Sequence, residues 1–446
     1  MPQSARQTAL LALRSLERGA FADVALDKAC KQTSLSVVDR RLVTELVYGS
    51  VRRQRTLDAL IDQVGTKPAH QQPADLRLLL RLGLYQLRYL QQIPAAAAVH
   101  TTVELAKQNQ LAGLSTVVNG ILRQYIRLSE VGADPLQLPA SLVQRLGILH
   151  SYPDWIVQVW LEQFGPAETE QLCLQLNRPP AIDLRVNLLR ATVEQVATAM
   201  AAAGIETHPV PSVPPALRLT QHSGAIPDLP GFQAGWWMVQ DAGAQLVALL
   251  VDPQPGDVII DACAAPGGKA LHLAELMHDR GTIWACDRTD VRLHRLQQNC
   301  ARLGLHSIHL VSGDSRDLPQ FKGLADRVLL DVPCSGLGTL NRHADARWRQ
   351  TPQSVQELSQ LQAELLDQAT TWVKPGGSLI YATCTLHPAE NEEQLQHFLT
   401  RHPTWQLEPP PQDSPIAAFT TPAGWIKLLP HHHQMDGFFM GRLRQR

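Results

Sequence analysis

The stretch that decides the fold is VIIDACAAPGGK, residues 258–269. Its apolar start ends in an acid, as in a short buried strand, and leads into a turn with two adjacent glycines. Gly267 and Gly268 let the backbone approach a ligand closely, and the helix expected after them offers free N–H groups. The spacing is neither G-x-G-x-x-G nor a Walker loop, which disfavours a dinucleotide or a nucleoside triphosphate.

The same alternation of strand and helix continues along the C-terminal half. Apolar segments predict strands at residues 257–262, 281–287, 309–312, 327–331 and 378–383. Helical spacing predicts helices at residues 268–277, 289–303, 354–373 and 391–400. Short strands separated by helices predict a parallel, doubly wound α/β sheet of the Rossmann-like type. Ligands bind such sheets at the carboxyl ends of the strands.

Three domains are predicted: an all-α domain at 1–135, a small α+β module at 140–235 and the α/β domain at 236–446. In the first, apolar residues recur at helical spacing in residues 9–16, 38–51, 57–64, 76–90, 99–106 and 117–126. Residues 132–139 are expected to be a linker. In the module, residues 182–188 alternate apolar and polar like a half-buried strand.

The charge of the 446-residue chain is unevenly distributed, although the net charge is only −1. Residues 1–130 hold 17 Lys and Arg against 10 Asp and Glu, whereas the remaining residues hold 23 against 31. A basic front region suits an RNA-facing surface, and solvated helix faces explain it equally well. The best candidates for contacts to an RNA backbone are Arg40, Arg41, Arg52, Arg53 and Arg55.

The cysteine content and the hydropathy indicate a cytosolic protein with free thiols. The seven cysteines include no C-x-x-C pair, and residues 1–11 lack the features of a signal peptide. No apolar run is long enough to cross a membrane. The three histidines at 431–433 have no accompanying carboxylate or cysteine pattern, so a solvated loop without a metal is expected there.

Acids and thiols follow several of the predicted strands. Asp287 and Asp314 each end a strand; one such acid is usually a cap or a turn former, but two in register with the glycine turn favour a nucleoside ligand. DVPCSGLG, residues 331–338, and YATCT, residues 381–385, each bring one thiol to the same edge. A single cysteine after a strand is more simply a packed small residue, whereas two thiols facing one cleft indicate chemistry.

DACAAPGGK, DVPCSGLG and YATCT, together with DGFF at residues 436–439, resemble the signature of the RNA 5-methylcytosine methyltransferases. Members of this family with the same layout begin with a helical domain similar to the antitermination factor NusB. The resemblance covers essentially the whole chain. Ala270, Thr385 and Ser315 depart from common family residues, but none of these changes removes a reacting group.

The resemblance implies roles for four residues in methyl transfer to cytosine C5. Cys384 would be the nucleophile that adds to C6 of the base, and Cys334 would assist release of the product. Asp331 would hydrogen-bond the N3/N4 edge of the cytosine. Lys269 would point from the cofactor turn toward the reacting base.

The cofactor implied by the resemblance is S-adenosylmethionine. Its methionine and ribose portion would lie on Cys263, Ala264, Ala265, Pro266, Gly267, Gly268 and Lys269. Asp287 would bind the ribose hydroxyls, Asp314 the adenine edge, and Asp331 would lie near the sulfonium. The implied substrate is 16S rRNA of an unassembled or partly assembled small subunit, at cytosine 967, with the enzyme acting as a monomer.

The residues after the Cys334 loop combine basic and aromatic side chains: Arg342, His343, Arg347, Trp348 and Arg349. They suit RNA backbone contact and base stacking, and an exposed helix start with one packed tryptophan fits equally well. Two rival functions stay open at this point. One is another RNA or DNA cytosine-C5 methyltransferase with a different target, of which the DNA enzymes typically use the thiol of the Pro-Cys motif. A non-catalytic RNA chaperone would bind RNA without transferring methyl groups.

Overall fold

The structure is a computed structural model that describes residues 4–132, 134–211, 213–221 and 224–445. The chain forms two compact units, one of residues 1–177 with 340–349, the other of residues 178–339 with 350–446. The predicted division into three domains stays a prediction, and residue 133 of the predicted linker lies outside the described residues. Among the described residues, no helix is both long enough and apolar enough to span a membrane.

The first unit is helical, and its first seven α-helices share an apolar core. In chain order the helices are α1 (Ala5–Glu17), α2 (Ala22–Lys31), α3 (Val37–Arg52), α4 (Gln54–Val64), α5 (Ala74–Tyr89), α6 (Ala95–Gln108), α7 (Ser115–Glu130), α8 (Leu142–His150) and α9 (Asp154–Gln175). The six predicted helical segments lie in α1 and α3 to α7. Helix α2 was missed because its buried face consists mainly of alanines, which give a weak apolar signal. Ser4 and Ser36 cap α1 and α3 by accepting backbone N–H groups.

A four-stranded antiparallel sheet begins the second unit. Its elements are β1 (Ile182–Val186), α10 (Val193–Ala202), β2 (Glu206–Pro209), β3 (Ala216–Gln221) and β4 (Trp237–Val239), with the strand order β2-β3-β1-β4. Strand β1 is the predicted alternating strand, but both of its faces are buried rather than one. Its polar residues Asp183 and Arg185 are as inaccessible to solvent as its apolar residue Leu184.

The rest of the second unit is a large twisted sheet with helices on both faces. Its first elements are α11 (Ala242–Val251), β5 (Val258–Asp261), α12 (Gly268–Leu276), β6 (Thr282–Asp287), α13 (Asp290–Leu303), β7 (Ile308–Ser312) and β8 (Ala325–Asp331). After α14 (Ala346–Arg349), which belongs to the first unit, come α15 (Pro352–Thr370), β9 (Val373–Thr383), α16 (Glu392–Arg401), β10 (Trp405–Leu407), β11 (Ile426–Leu428), α17 (Pro430–His433) and β12 (Phe438–Gln445). All predicted strands and helices of this region are present.

The strand order of the large sheet is β10-β12-β9-β8-β5-β6-β7, and β11 pairs with β12. Strands β5 to β9 run parallel to one another, which confirms the Rossmann-like fold. The sheet is mixed rather than wholly parallel, because β12 runs antiparallel to β9 and two further strands pair antiparallel with β12. The apolar residues of the sheet form one core on each face, beneath the two helical layers.

The segment 340–349 corrects one sequence prediction. Arg347, expected to be a candidate for RNA contact, is fully buried in the first unit, and burial lowers its pKa to about 10. Its guanidinium donates to the carbonyl oxygens of Arg52 and Ser151 and to the side chain of Asn177. The indole N–H of Trp348 donates to a backbone carbonyl oxygen of α3. Both side chains therefore stabilise this unit: the tryptophan packs as the alternative expected, but the start of its helix is buried or half-buried rather than exposed.

Candidate active site

The carboxyl ends of the parallel strands bring the predicted site residues to one edge of the large sheet. Asp261 ends β5, Asp287 ends β6, and Asp331 ends β8, while Cys384 follows the last residue of β9. Strand pairing places Asp261 beside Leu329 and Asp331 beside Ala382, so the carboxyl ends of β5, β8 and β9 lie side by side. This edge is where a doubly wound sheet binds its ligand.

The glycine turn between β5 and α12 can be made only without side chains at its tip. Gly267 has φ +109°, a conformation that other residues rarely adopt. A Cβ atom added there would lie 2.3 Å from Cδ1 of Leu296. The turn is closed by a bond from the Gly267 N–H to the carbonyl oxygen of Ala264, 2.8 Å. Its backbone is therefore packed closely against α13 and presents the start of α12 at the sheet edge.

Lys269, the second residue of α12, reaches Asp331 across the sheet edge. Its Nζ atom lies 2.5 Å from Oδ2 of Asp331 and 5.3 Å from the ring centre of Phe438. Burial alone would lower the pKa of Lys269, but the ion pair with Asp331 outweighs it, and the net pKa is raised. The side chain is therefore a fixed cation between the glycine turn and the cysteines.

The two predicted thiols meet at this edge. Sγ of Cys334 lies 3.4 Å from Sγ of Cys384, within hydrogen-bonding distance for sulfur. None of the seven cysteines forms a disulfide in the described part of the chain, which confirms free thiols. The hydrogen bond to Cys384 and burial, with the charges of Cys384 and Glu390, raise the pKa of Cys334 well above its usual value. Cys334 therefore keeps its proton more firmly than an exposed cysteine.

Comparison with known proteins agrees with this geometry. The family model "16S rRNA methyltransferase RsmB/F" matches residues 248–444, the NusB family matches residues 3–127, and a ferredoxin-like domain of RsmF/B-like methyltransferases matches residues 152–225. The chain is 50% identical to a probable ribosomal RNA small subunit methyltransferase B from Synechocystis, with 99% of each chain covered. The chain belongs to the RsmB/F methyltransferase family.

Two further relatives extend this result. A probable ribosomal RNA small subunit methyltransferase B from Bacillus subtilis is 35% identical, again with 99% of each chain covered. The crystal structure of PH0851 superposes with a TM-score of 0.82 at 27% identity and covers 100% of this chain and 99% of that one. Membership of the RsmB/F family confirms the resemblance, the NusB-like helical region and S-adenosylmethionine as the cofactor.

The glycine turn, Asp287 and Asp314 form the cofactor half of the sheet edge. These residues fit the S-adenosylmethionine of an RsmB/F methyltransferase. The glycine turn presents the N–H groups at the start of α12, and the carboxylates of Asp287 and Asp314 can accept bonds from ribose hydroxyls and an adenine amino group. Asp287 accepts the Thr289 N–H, 2.9 Å, and pairs with Arg292, 3.2 Å. Burial, followed by the charge of Asp331, raises the pKa of Asp261 to about 7.

Arginine holds the second carboxylate of the cofactor half, Asp314. Its oxygens accept hydrogen bonds from Nε and Nη2 of Arg316, at 3.0 and 2.7 Å. Nε of Arg288 lies 3.6 Å from Oδ2 of Asp314. These hydrogen bonds, with the charges of both arginines, lower the pKa of Asp314 to about 2. All of these side chains are partly exposed, so a ligand can exchange with them.

Sequence reasoning missed a buried arginine that holds the glycine turn. Arg185, from β1, forms a two-bond ion pair with Glu275 of α12, at 2.7 and 2.9 Å, and donates to the carbonyl oxygen of Gly268 at 2.6 Å. Asp183, on the same face of β1, pairs with Arg218 and accepts the N–H of Ala242. The signal was present in the sequence, because the polar residues of β1 alternate regularly, but alternation was interpreted as solvent exposure.

The structure does not bring every predicted residue to the site. Cys263 lies in the glycine turn, where burial, then Asp261 and the other acids of the edge, raise its pKa well above its usual value, so contact rather than chemistry is its expected role. Among the RNA candidates of α3, Arg52 is buried and donates to the carbonyl oxygen of Asn341 within the first unit. Arg40 and Arg41 are exposed on α3. Contact between RNA and this pair stays a prediction.

Proposed function

We propose that this chain transfers a methyl group from S-adenosylmethionine to C5 of a cytosine in 16S rRNA, with cytosine 967 as the target. The observation that carries the proposal is the pair of thiols, Cys334 and Cys384, whose Sγ atoms are 3.4 Å apart beside the glycine turn. C5 of cytosine is a weak nucleophile, and a thiolate that adds to C6 activates it. The names of the two curated relatives support ribosomal RNA of the small subunit as the substrate.

Cys384 is assigned the addition to C6, as the resemblance of its YATCT motif to the family implies. The raised pKa of Cys334 suits a donor to the sulfur of Cys384. The Lys269 ammonium is held by Asp331 at the same sheet edge, and its raised pKa keeps it charged there. When bound, S-adenosylmethionine supplies an electrophilic methyl group for C5.

Release of the product requires that the C5 proton pass to a base and that the electron pair of the S–C6 bond return to sulfur. Cys334 contacts the sulfur of Cys384 and is assigned to assist this step. Asp331, held by Lys269, is assigned the N3/N4 edge of the base, where a hydrogen bond lowers the cost of attack at C6. C5 and C6 are shielded in a stacked helix, so the target has to be single-stranded or flipped out.

Trapping tests the proposal directly. An RNA with 5-fluorocytosine at the target cannot lose its C5 substituent as a proton, so the covalent complex accumulates and migrates slowly on a denaturing gel. We expect the wild type and Cys334→Ala to form this complex and Cys384→Ala to form none. The reverse result for the two variants would make Cys334 the nucleophile, as in the DNA enzymes. RNA binding without complex or methyl transfer would support the non-catalytic rival.

The target nucleotide needs a separate measurement. In cells that lack this protein, bisulfite sequencing of 16S rRNA should show loss of protection at cytosine 967. Protection should return with the wild-type gene and not with Cys384→Ala. Loss of protection at another cytosine would retain the chemistry and change the assigned target.

A further inference from the structure

A buried acid, Glu390, lies behind the two thiols and takes no part in the mechanism described so far. It ends the 3-10 helix Pro388–Glu390, a few residues after Cys384, and is inaccessible to solvent. A buried carboxylate is costly unless donors surround it. Its hydrogen-bond partners therefore indicate what it does.

The first set of partners belongs to the loop that carries Cys334. The Ser335 N–H donates to Oε1 of Glu390 at 2.9 Å, and the Ser335 hydroxyl donates to Oε2. The amide of Gln362 donates to Glu390 at 3.0 Å and also to the carbonyl oxygen of Pro333 at 2.9 Å. Glu390 and Gln362 thus hold the residues on both sides of Cys334.

The second set belongs to the loop that carries Cys384. Oγ of Ser335 lies 2.7 Å from Oγ1 of Thr385, so one hydroxyl chain joins Thr385, Ser335 and Glu390. The Asn391 amide donates to the carbonyl oxygen of Thr385 at 3.0 Å and accepts the hydroxyl of Thr383 at 2.6 Å. The residues on both sides of Cys384 are therefore bound to the same short segment.

We infer that Glu390 is a positioning residue that joins the two cysteine-bearing loops and fixes the separation of the Cys334 and Cys384 sulfur atoms. Its side chain accepts hydrogen bonds from one loop, and that loop passes the connection to the other through Ser335. Burial makes these bonds effective, because no water replaces a partner that is lost. The catalytic consequence rests on the proposed function, whereas the thiol separation can be measured without any methyl transfer.

Phenylarsine oxide measures the thiol separation. One arsenic binds two neighbouring thiols and releases one water, and intact mass reports the product. We expect the wild type to form the Cys334–Cys384 product, with Cys384→Ala giving the background of the six cysteines that remain. In Glu390→Gln, an amide N–H₂ faces donors instead of accepting their hydrogen bonds, so the two loops are held less firmly. We therefore expect arsenic capture to slow by about tenfold.

Glu392→Gln is the matched control. Glu392 lies two residues further along the chain and pairs with Lys427 at 2.6 Å. We expect this variant to capture arsenic and to methylate RNA like the wild type. Ser335→Ala removes the hydroxyl and provides a milder second variant if Glu390→Gln folds poorly, which circular dichroism would reveal.

Kinetics add a readout that a purely structural role would not move. We expect Glu390→Gln to lower kcat by about 10- to 100-fold, with the KM for S-adenosylmethionine unchanged, because the geometry of the reacting groups is altered and the cofactor turn is not. Glu390→Gln combined with Ser335→Ala should cost little more than the single change, since both act through one connection.

Two outcomes would overturn the inference. Arsenic capture by Glu390→Gln at the wild-type rate would show that Glu390 does not set the separation. Equal loss of capture in Glu392→Gln would show a general loosening of the fold. If the wild type captured arsenic but formed no complex with fluorinated RNA, the proposed function would fail while slowed capture in Glu390→Gln would still support the positioning role.

Discussion

The sheet edge has two halves, the cofactor half and a thiol half made of the loops of Cys334 and Cys384, and they are held in different ways. In the thiol half, the loops of Cys334 and Cys384 are held by buried hydrogen bonds to Glu390 and Asn391. In the cofactor half, partly exposed arginines hold the acids expected to bind the ligand, as in the pair of Asp314 and Arg316. A reacting group gains from being fixed before the substrate arrives, whereas a binding group has to exchange partners with a ligand that enters and leaves. Exposed polar contacts are thus found at Asp314, which is expected to meet the ligand, whereas buried ones hold the glycine turn through Arg185 and the thiol loops through Glu390.

The largest effect is expected where the two halves meet, at the ion pair of Lys269 and Asp331. Asp331→Asn keeps the size of the side chain but removes its charge, so it weakens the hold on Lys269 and, under the proposed mechanism, the bond to the cytosine edge. We expect kcat to fall by about 100- to 1000-fold, measured with labelled S-adenosylmethionine. A variant with full activity would remove Asp331 from the assigned mechanism.

An intermediate effect is expected from the buried anchor of the cofactor half, Arg185. Arg185→Met leaves Glu275 buried without its partner, and breaking such a pair costs about 3 to 5 kcal/mol in the free energy of unfolding. Because Arg185 also holds the carbonyl oxygen of Gly268, we expect the Kd for S-adenosylmethionine to rise by about tenfold.

The double variant Arg185→Met with Glu275→Leu separates these two effects of Arg185. It removes both charges, so much of the lost stability should return, as a chemical denaturation curve would record. The weakened cofactor binding should persist, because the bond to Gly268 is still missing. Restored binding in the double variant would mean that stability alone explains the loss.

The smallest effect is expected at the exposed pair of Asp314 and Arg316. Arg316→Ala should change the Kd for S-adenosylmethionine by less than about threefold, because exposed ion pairs contribute little. The pKa of Asp314 should rise from about 2 toward its ordinary value, observable by NMR titration. The contribution of this pair to stability is present above the unfolded pKa and is lost as the pH falls through the folded value. A large loss of affinity would make Arg316 itself a cofactor ligand.

The sequence predicts the sheet edge well because each strand there is short and apolar and ends at an acid, a glycine turn or a cysteine. Those local signals place Asp287, Asp331 and the two thiols at one edge without any knowledge of packing. Their roles as reacting groups come from family resemblance and stay proposals until tested.

What the sequence could not predict depends on partners that are distant along the chain. Arg185 and Glu275 are ninety residues apart, and alternation in β1 cannot distinguish a solvated face from one that packs against a polar layer. The same holds for Arg347 in the first unit. Its guanidinium, expected to contact RNA, is buried and donates to backbone carbonyl oxygens. Glu390 follows an ordinary turn, and only folding reveals that it is surrounded by donors.

Strand β12 completes the thiol half from the far end of the domain. The Gly437 N–H, just before it, donates to the carbonyl oxygen of Gly338, and a Cβ on Gly338 would lie 2.2 Å from the carbonyl oxygen of Gly437. The Cys334 loop thus lacks one of its walls until the residues around 437 have been translated. Until β12 pairs with β9, the loop that carries Cys334 therefore lacks this contact, however complete the rest of the sheet is.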